Sequence, residues 1–341
     1  MAGAPNIREV ALRAGVSVGT VSNVLNRPEL VAEPTRDRVY AAIEELGFVR
    51  NDSARQLRVG RSRTLGLVVL DVANPFFTDV ARGVEDTANQ HGLAVILCNT
   101  DEDPRKEASH LDLLAEMRVQ GVLINPIDTD GRIAALRGRG TPVVLFDRLG
   151  DPDIECSVAV DDVLGGRLAA QHLVEAGHRT ILFVGGPLTL RQVQERREGA
   201  SSVVAAANGA VTMDVLTTTA LNVAAGRAAG DRIAASAGRS SADGGGLPSA
   251  VFCANDLLAL GVLQALTHAG IRVPADVAIV GYDDIDFAAA AAVPLTSVRQ
   301  PRQQLGRTAA ELLLAETMEE QHRHRQVVFQ PELIVRDSSS T

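Results

Sequence analysis

The strongest constraint on how this chain folds is an alternation of apolar runs with amphipathic stretches that begins twice. From Thr64 the sequence runs TLGLVVLD (64–71), a loop NPFF, a helical stretch Thr78–His91, AVILCNT (94–100), a second at Arg105–Arg118, GVLINP (121–126), a short third and PVVLFD (142–147). The apolar runs are short, aliphatic and β-branched, as buried strands are, and the stretches between them have helical spacing. After a helix at Val163–Ala176 the pattern restarts with TILFVGG (180–186), VTMDVLT (211–217), AVFCAND (250–256) and VAIVGYDD (277–284), helices intervening. Such units predict an α/β fold with parallel, doubly wound sheets, and the restart predicts two halves in tandem. SSADGGGLPS (240–249), rich in Gly and Ser and without periodicity, reads as a flexible surface loop.

Open parallel sheets bind ligands outside the carboxyl ends of their strands. The polar residues Asn74, Asp101, Asp147, Arg148, Asp256, Asp283 and Asp284 fall at those ends. A cleft rimmed by carboxylates, amides and Arg suits a polyhydroxylated ligand, because carboxylates accept from hydroxyls and Arg donates in a fixed fork.

The first 63 residues follow another pattern. Ile7, Val10, Ala11 and Ala14 make one apolar helical face, Asn6 and Glu9 have capping-box spacing, and Gly15 stands where the chain must turn. Ser17 can cap a second helix with Val21, Val24 and Leu25 inward, and Val16 plugs the corner. This is a helix-turn-helix pattern, which presents its second helix to the DNA major groove. The outer face of that helix carries Ser17, Val18, Gly19, Thr20, Ser22, Asn23 and Asn26, small uncharged groups suited to phosphates and base edges. A third helix has Pro34 in its first turn, Val39, Ala42, Ile43 and Leu46 as its stripe, and Gly47 as its stop. Asn51–Gly60 is short and Arg-bearing with little to bury, so alone it reads as a linker.

Charge follows the same division. The formal net charge is −9, yet residues 1–63 hold ten Arg against seven acids, +3, leaving −12 beyond them. A basic head on an acidic body fits a DNA-contacting domain joined to one with another task. No apolar run reaches membrane-spanning length, and the N-terminus does not read as a signal peptide. Cys98, Cys156 and Cys253 are sparse and far apart, which predicts buried thiols in a reducing compartment. There is no P-loop, GxSxG or GxGxxG, and no nucleophile beside a base, so an enzyme is not expected. His322 and His324 lie in a polar, Arg-rich tract expected to face water, and neither metal nor cofactor is expected.

Ten motifs together resemble the LacI–GalR family of transcriptional regulators along the whole chain. They are NIREVALRAGVSVGTVSNVLN (6–26), PTRDRVYAAIEELGFVRNDSARQLR (34–58), NPFF (74–77), FDR (146–148), GHRTILFVGG (177–186), RREG (196–199), ANDLLALG (254–261), GYDD (281–284), LTSVRQP (295–301) and PELIVR (331–336). The resemblance implies a three-helix DNA-binding domain at 1–49, a hinge helix and linker at 50–63, and an effector-binding and dimerisation domain at 64–341. That last domain resembles periplasmic ribose-binding proteins. It implies an N-lobe of 64–161 and 291–322 and a C-lobe of 162–290 and 323–341. The implied function is a sequence-specific repressor whose operator affinity is switched by a sugar-like effector between the lobes.

By the same resemblance the hinge helices of a dimer pair in the minor groove. Leu57 matches a residue that opens the central base step and Ala54 a small residue facing that groove; the other reading has Leu57 packing on the body. Val18, Gly19 and Asn23 differ from the better-known members, so the operator is not transferable from them. Asn74, Phe76, Phe77, Asp147, Arg148, Arg196 and Asp256 match effector-binding positions, with Asn222 and Asp283 as further candidates. Asp256 can equally cap the helix after it, and Phe77 can equally be core. The partners implied are a palindromic operator duplex, a monosaccharide or related polyol or nucleoside, and a second copy of the chain, with no membrane. An ending about five residues after PELIVR favours a dimer over a tetramer. The expected location is the cytoplasm, at the nucleoid.

Overall fold

The computed structural model describes residues 5–48, 62–127, 131–237, 246–318 and 322–340. It divides into two compact units between Ser62 and Arg63, one residue before the expected start of the body. Residues 49–61, which include Ala54 and Leu57 and nearly all of the expected hinge, lie outside the described residues, as do 240–245 of the Gly/Ser-rich stretch.

The first unit contains α1 (Ile7–Ala14), α2 (Val18–Asn26), a 3-10 turn at Pro28–Leu30 and α3 (Glu33–Leu46). The Asn6 side chain accepts from the Arg8 and Glu9 amides while Glu9 accepts from the Asn6 amide, closing the capping box. Gly15 ends α1 at φ 66°, a left-handed conformation that Gly adopts without steric cost. Val10, Ala11, Ala14, Val21, Val24, Val39 and Ala42 form the core, with Ile7, Val16, Leu25, Ile43, Leu46 and Phe48 packed around it. Arg13 on α1 reaches Glu45 on α3 at 2.7 Å. The 3-10 turn is an element that the periodicity alone did not reveal.

The body contains two six-stranded sheets. The first is built from β1 (Thr64–Val69), β2 (Ala94–Asn99), β3 (Gly121–Ile124), β4 (Val143–Phe146), β5 (Ser157–Val160) and β11 (Gln326–Phe329), in the order β11-β5-β4-β3-β1-β2. The second is built from β6 (Thr180–Gly185), β7 (Thr212–Thr217), β8 (Ala250–Cys253), β9 (Ala278–Asp283), β10 (Thr296–Arg299) and β12 (Glu332–Ile334), in the order β12-β10-β9-β8-β6-β7. The two orders correspond strand for strand, which is the repeat that the sequence announced. The first sheet is parallel throughout, while the second carries an antiparallel edge because β12 runs against β10.

Helices α4 (Pro75–Gln90), α5 (Pro104–Glu116), α6 (Gly131–Gly138), α7 (Asp162–Glu175), α8 (Arg191–Ala206), α9 (Val223–Ala234), α10 (Asp256–His268), α11 (Asp286–Ala289) and α12 (Arg302–Met318) complete the body. Central strands are buried on both faces, which is why they read as continuous apolar runs; edge strands β2 and β7 are mostly half-buried or exposed. Cys98, Cys156 and Cys253 are free and buried. Among the described residues no helix is long and apolar enough to cross a membrane.

Three expectations need correction. NPFF is not a loop: Asn74 caps α4, and Pro75, Phe76 and Phe77 form its first turn, where Pro is pre-organised for a helix. Strand β5 stands after the acidic loop that follows Arg148, where the sequence pattern marks no strand, its four residues being too few to stand out. The lobes also exchange chain later than expected. β10 pairs with β9, so the second crossover falls near Gln300 rather than 291, and β11 pairs with β5, so the third falls after Phe329 rather than near 323.

Candidate functional site

The carboxyl ends of both sheets meet across a nearly closed cleft with about 20 Å³ of free space. Asn74, Phe76 and Phe77 enter it from the start of α4, Asp147 from the end of β4, Arg196 from α8 and Asp283 from the end of β9. Leu70, Asp71, Glu102, Gln192, Leu221 and Asn255 complete the lining. Asp147 and Asp283 leave their strands at φ 55° and 103°, and Asp101 and Glu102 follow β2 at 50° and 58°. Backbone held in this sparsely populated region is typical of ligand clamps.

The lobes touch directly inside the cleft. Asn74 Nδ2 donates to Asp283 Oδ2 at 3.2 Å, and Gln192 Nε2 donates to Asp147 Oδ2 at 3.5 Å. Arg302, first in α12 after the second crossover, donates to Asp79 of α4 at 2.9 Å and to the Asp283 and Asp284 carbonyls. No local pattern marks Arg302 beyond its place next to Pro301.

Arg196 is the positive centre. Its Nε donates to Asp162 Oδ1 at 2.8 Å, its Nη1 donates to the Ala254 carbonyl at 2.7 Å, and its guanidinium lies 3.8 Å over the Tyr282 ring. Burial works against this charge, but Asp162, Tyr282, Asp283 and Asp147 offset it and raise the Arg196 pKa. Burial pushes the Asp147 carboxyl well up, reinforced by Asp162 and moderated by Arg196. Asp283 is likewise raised by burial, against the pull of Arg196 and its amide partners. Asp147 Oδ2 accepts from Asn125 at 3.0 Å, while Asp147 Oδ1 is buried without a hydrogen-bond partner. Glu102 is lifted by burial, and by Asp71, to about 7.

Three sequence candidates stand elsewhere. Asn222 caps α9 by accepting from the Ala225 amide, and it is exposed. Arg148 is half-buried beside the cleft but not in its described lining. Asp256 is fully buried, accepting from Ser297 Oγ at 2.7 Å and the Ile285 amide at 2.9 Å. It does not cap α10, because Asn255 does so through the Leu258 amide, and Asn255 is the member of the pair that lines the cleft. Phe77 is both core and lining: the two Phe rings meet edge to face at 5.0 Å.

In the helical unit, Val18, Gly19, Asn23 and Asn26 are exposed on α2 and Thr20 and Ser22 are half-buried. Ser17 Oγ accepts from the Thr20 amide at 3.1 Å, and Asn26 donates to the Ser22 carbonyl at 2.7 Å. These contacts hold the polar face in place and leave the Val18 and Asn23 side chains projecting, with the Gly19 backbone exposed beside them.

Known proteins match both units. The model of bacterial regulatory proteins, lacI family, matches residues 6–51, and that of the periplasmic binding protein-like domain matches 170–339. Over 334 residues the chain is 34% identical to the HTH-type transcriptional repressor PurR of Aliivibrio fischeri (strain MJ11), with 97% of each covered. The chain belongs to the lacI family. This lacI-family regulator also resembles the structure of a transcriptional regulator CelR–cellobiose complex, at 33% identity and TM-score 0.71, covering 98% of this chain and 99% of that one. It resembles the lac repressor dimer bound to operator and the anti-inducer ONPF at 26% identity and TM-score 0.84, covering 99% and 100%. Its relatives are transcriptional repressors, not enzymes, and the lacI-family regulator is itself a DNA-binding, ligand-modulated repressor.

Proposed function

We propose that this repressor binds a palindromic operator as a homodimer and that a neutral, polyhydroxylated effector between its lobes switches that binding. The observation that carries the effector class is Asp147 Oδ1, a buried acceptor without a partner inside a lining of carboxyls and amides. A buried acceptor left unsatisfied costs roughly 1–3 kcal/mol, and a ligand hydroxyl removes that cost. The described lining holds Asp71, Glu102, Asp147 and Asp283 against Arg196, itself already paired with Asp162. This balance favours neutral sugars and disfavours phosphorylated ones. The free space of about 20 Å³ is far below the roughly 300–1,000 Å³ of small-molecule sites, so the lobes must part to admit a ligand. A CelR structure holding cellobiose supports a sugar in this fold.

Asn74–Asp283 and Gln192–Asp147 are the bonds that such a ligand replaces, so binding resets the contact between lobes. On the DNA side, Val18, Gly19 and Asn23 read bases, Ser17, Thr20, Ser22 and Asn26 hold phosphates, and Leu57 with Ala54 enters the minor groove. A thermal-shift panel of neutral sugars, sugar phosphates and nucleosides tests the effector class. A neutral hit at 100 times its Kd stabilises by about 2.7 kcal/mol, and Asp147→Asn weakens it. Hits confined to sugar phosphates, or stabilisation equal in wild type and variant, overturn the reading.

A further inference from the structure

Cys156, Glu316, His322 and His324 bring their ligand atoms within 4.8 Å of one another, away from the cleft. Cys156 Sγ lies 3.1 Å from His322 Nε2 and 3.9 Å from His324 Nδ1, and the two rings meet edge to face at 5.7 Å. Around a tetrahedral zinc with Zn–S of about 2.3 Å and Zn–N of about 2.0 Å, such atoms sit roughly 3.5 Å apart. The fold assembles the group from three places: Cys156 just before β5, Glu316 near the end of α12, and the two His on the way into β11. Parallel pairing of β11 with β5, Gln326 opposite Ser157, brings the His pair to the Cys. The expectation that His322 and His324 simply face water is therefore corrected, since both are half-buried against a fully buried thiol.

Two observations point to a cation. Glu316 Oε2 is buried and has no hydrogen-bond partner. The Arg325 amide donates to Cys156 Sγ at 3.3 Å, the kind of supporting hydrogen bond that orients a metal-bound thiolate. The nearby Arg137 is engaged with Glu155 instead of Glu316.

We propose that Cys156, Glu316, His322 and His324 form a binding site for a divalent zinc-class cation. Thiolate and imidazole select such a metal over Mg²⁺ and Ca²⁺, which require oxygen ligands. Thiolate and carboxylate together carry the two negative charges that balance the ion, and binding releases the protons they held. The bound metal pins the end of α12 to edge strand β11 at the amino ends of the first sheet's strands. Thr64, the first residue of β1, lies at that same end, opposite the effector cleft.

The test uses full-length protein, reduced and stripped with chelator, then titrated with Co²⁺. One equivalent is expected to give the intense visible bands of tetrahedral cobalt and a thiolate charge-transfer band, both bleached by Zn²⁺. Zn²⁺ raises the melting temperature and Mg²⁺ does not. Cys156→Ser removes the charge-transfer band, and affinity falls by more than the roughly 10- to 100-fold that loss of a supporting hydrogen bond costs. Cys98→Ser retains the wild-type spectrum. His324→Gln, at a half-buried loop position, weakens binding likewise and decides the matter even if Cys156→Ser does not fold. Absence of tetrahedral bands in wild type, or an unchanged spectrum and affinity in His324→Gln, overturns the site.

Discussion

At the residue scale, the cleft turns on one buried carboxyl, Asp147, whose Oδ1 lacks a partner. Asp147→Asn keeps the side-chain shape, and Asn tolerates the left-handed backbone there. It also relieves repulsion from Asp162 and Asp283, so the ligand-free variant is expected to melt at or above the wild-type temperature. Effector affinity, read by calorimetry, should fall by roughly 10- to 100-fold, as loss of a hydrogen bond to a charged group of about 1.5–3 kcal/mol implies. Glu102 carries a pH signature. Its carboxyl is raised from 4.5 to about 7, so the folded state holds a proton that the unfolded chain has already released. Its contribution to stability is complete below 4.5 and is lost as pH rises through about 7. Melting curves across that window should flatten in Glu102→Gln, though Asp147, Asp256 and Asp283, raised by burial, keep part of the slope; an unchanged slope refutes the assignment. Asp147 and Asp283 were legible because parallel sheets gather polar groups at strand ends. The choice between Asn255 and Asp256 was not, because it turns on which residue caps α10, a difference of one position. Asp71 and Glu102 lie in the separate loops after β1 and β2, and the left-handed turn at Asp101 and Glu102 leaves no periodic trace.

At the element scale, three pairs of helices in the body meet through glycines. A methyl on Gly166 or Gly199 strikes the backbone of the facing α8 or α7, and the same holds for Gly226 with Gly261 between α9 and α10, and Gly83 with Gly306 between α4 and α12. The α7–α8 contact brings Arg196 to Asp162, so backbone proximity sets up the positive centre of the cleft. Gly199→Ala is therefore expected to cost about 1–3 kcal/mol, the usual range for overpacking, and to weaken the effector response. Denaturant titration checks the first effect, and stability within experimental error of wild type refutes it. In the helical unit, Ser17→Ala removes the α2 cap and should cost about 1 kcal/mol. Most elements could be read because long buried strands and amphipathic helices carry their period in the sequence. The exceptions are β5, the 3-10 turn and everything after β9, namely α11, β10, α12, β11 and β12 with the late crossovers; the strands among them are short and are fixed by pairing with residues far away in the chain, which no local pattern records.

At the scale of the whole molecule, the regulator joins a DNA-reading helical unit to a body whose lobes now bond directly across an acidic cleft. Ligand switching requires that effector binding and operator binding change each other's free energy, and that coupling is reciprocal. Asn74–Asp283, Gln192–Asp147 and Arg302 are the contacts through which the cleft sets how the lobes meet. The decisive measurement is an operator titration by fluorescence anisotropy, using a palindromic duplex selected from random sequence, with and without the thermal-shift hit. Switching through the cleft predicts an operator Kd that moves by about 5- to 150-fold, corresponding to about 1–3 kcal/mol of coupling, in wild type and not in Asp147→Asn at the same ligand concentration. An operator Kd that stays fixed while the hit demonstrably occupies the protein, or one that moves equally in Asp147→Asn, contradicts it.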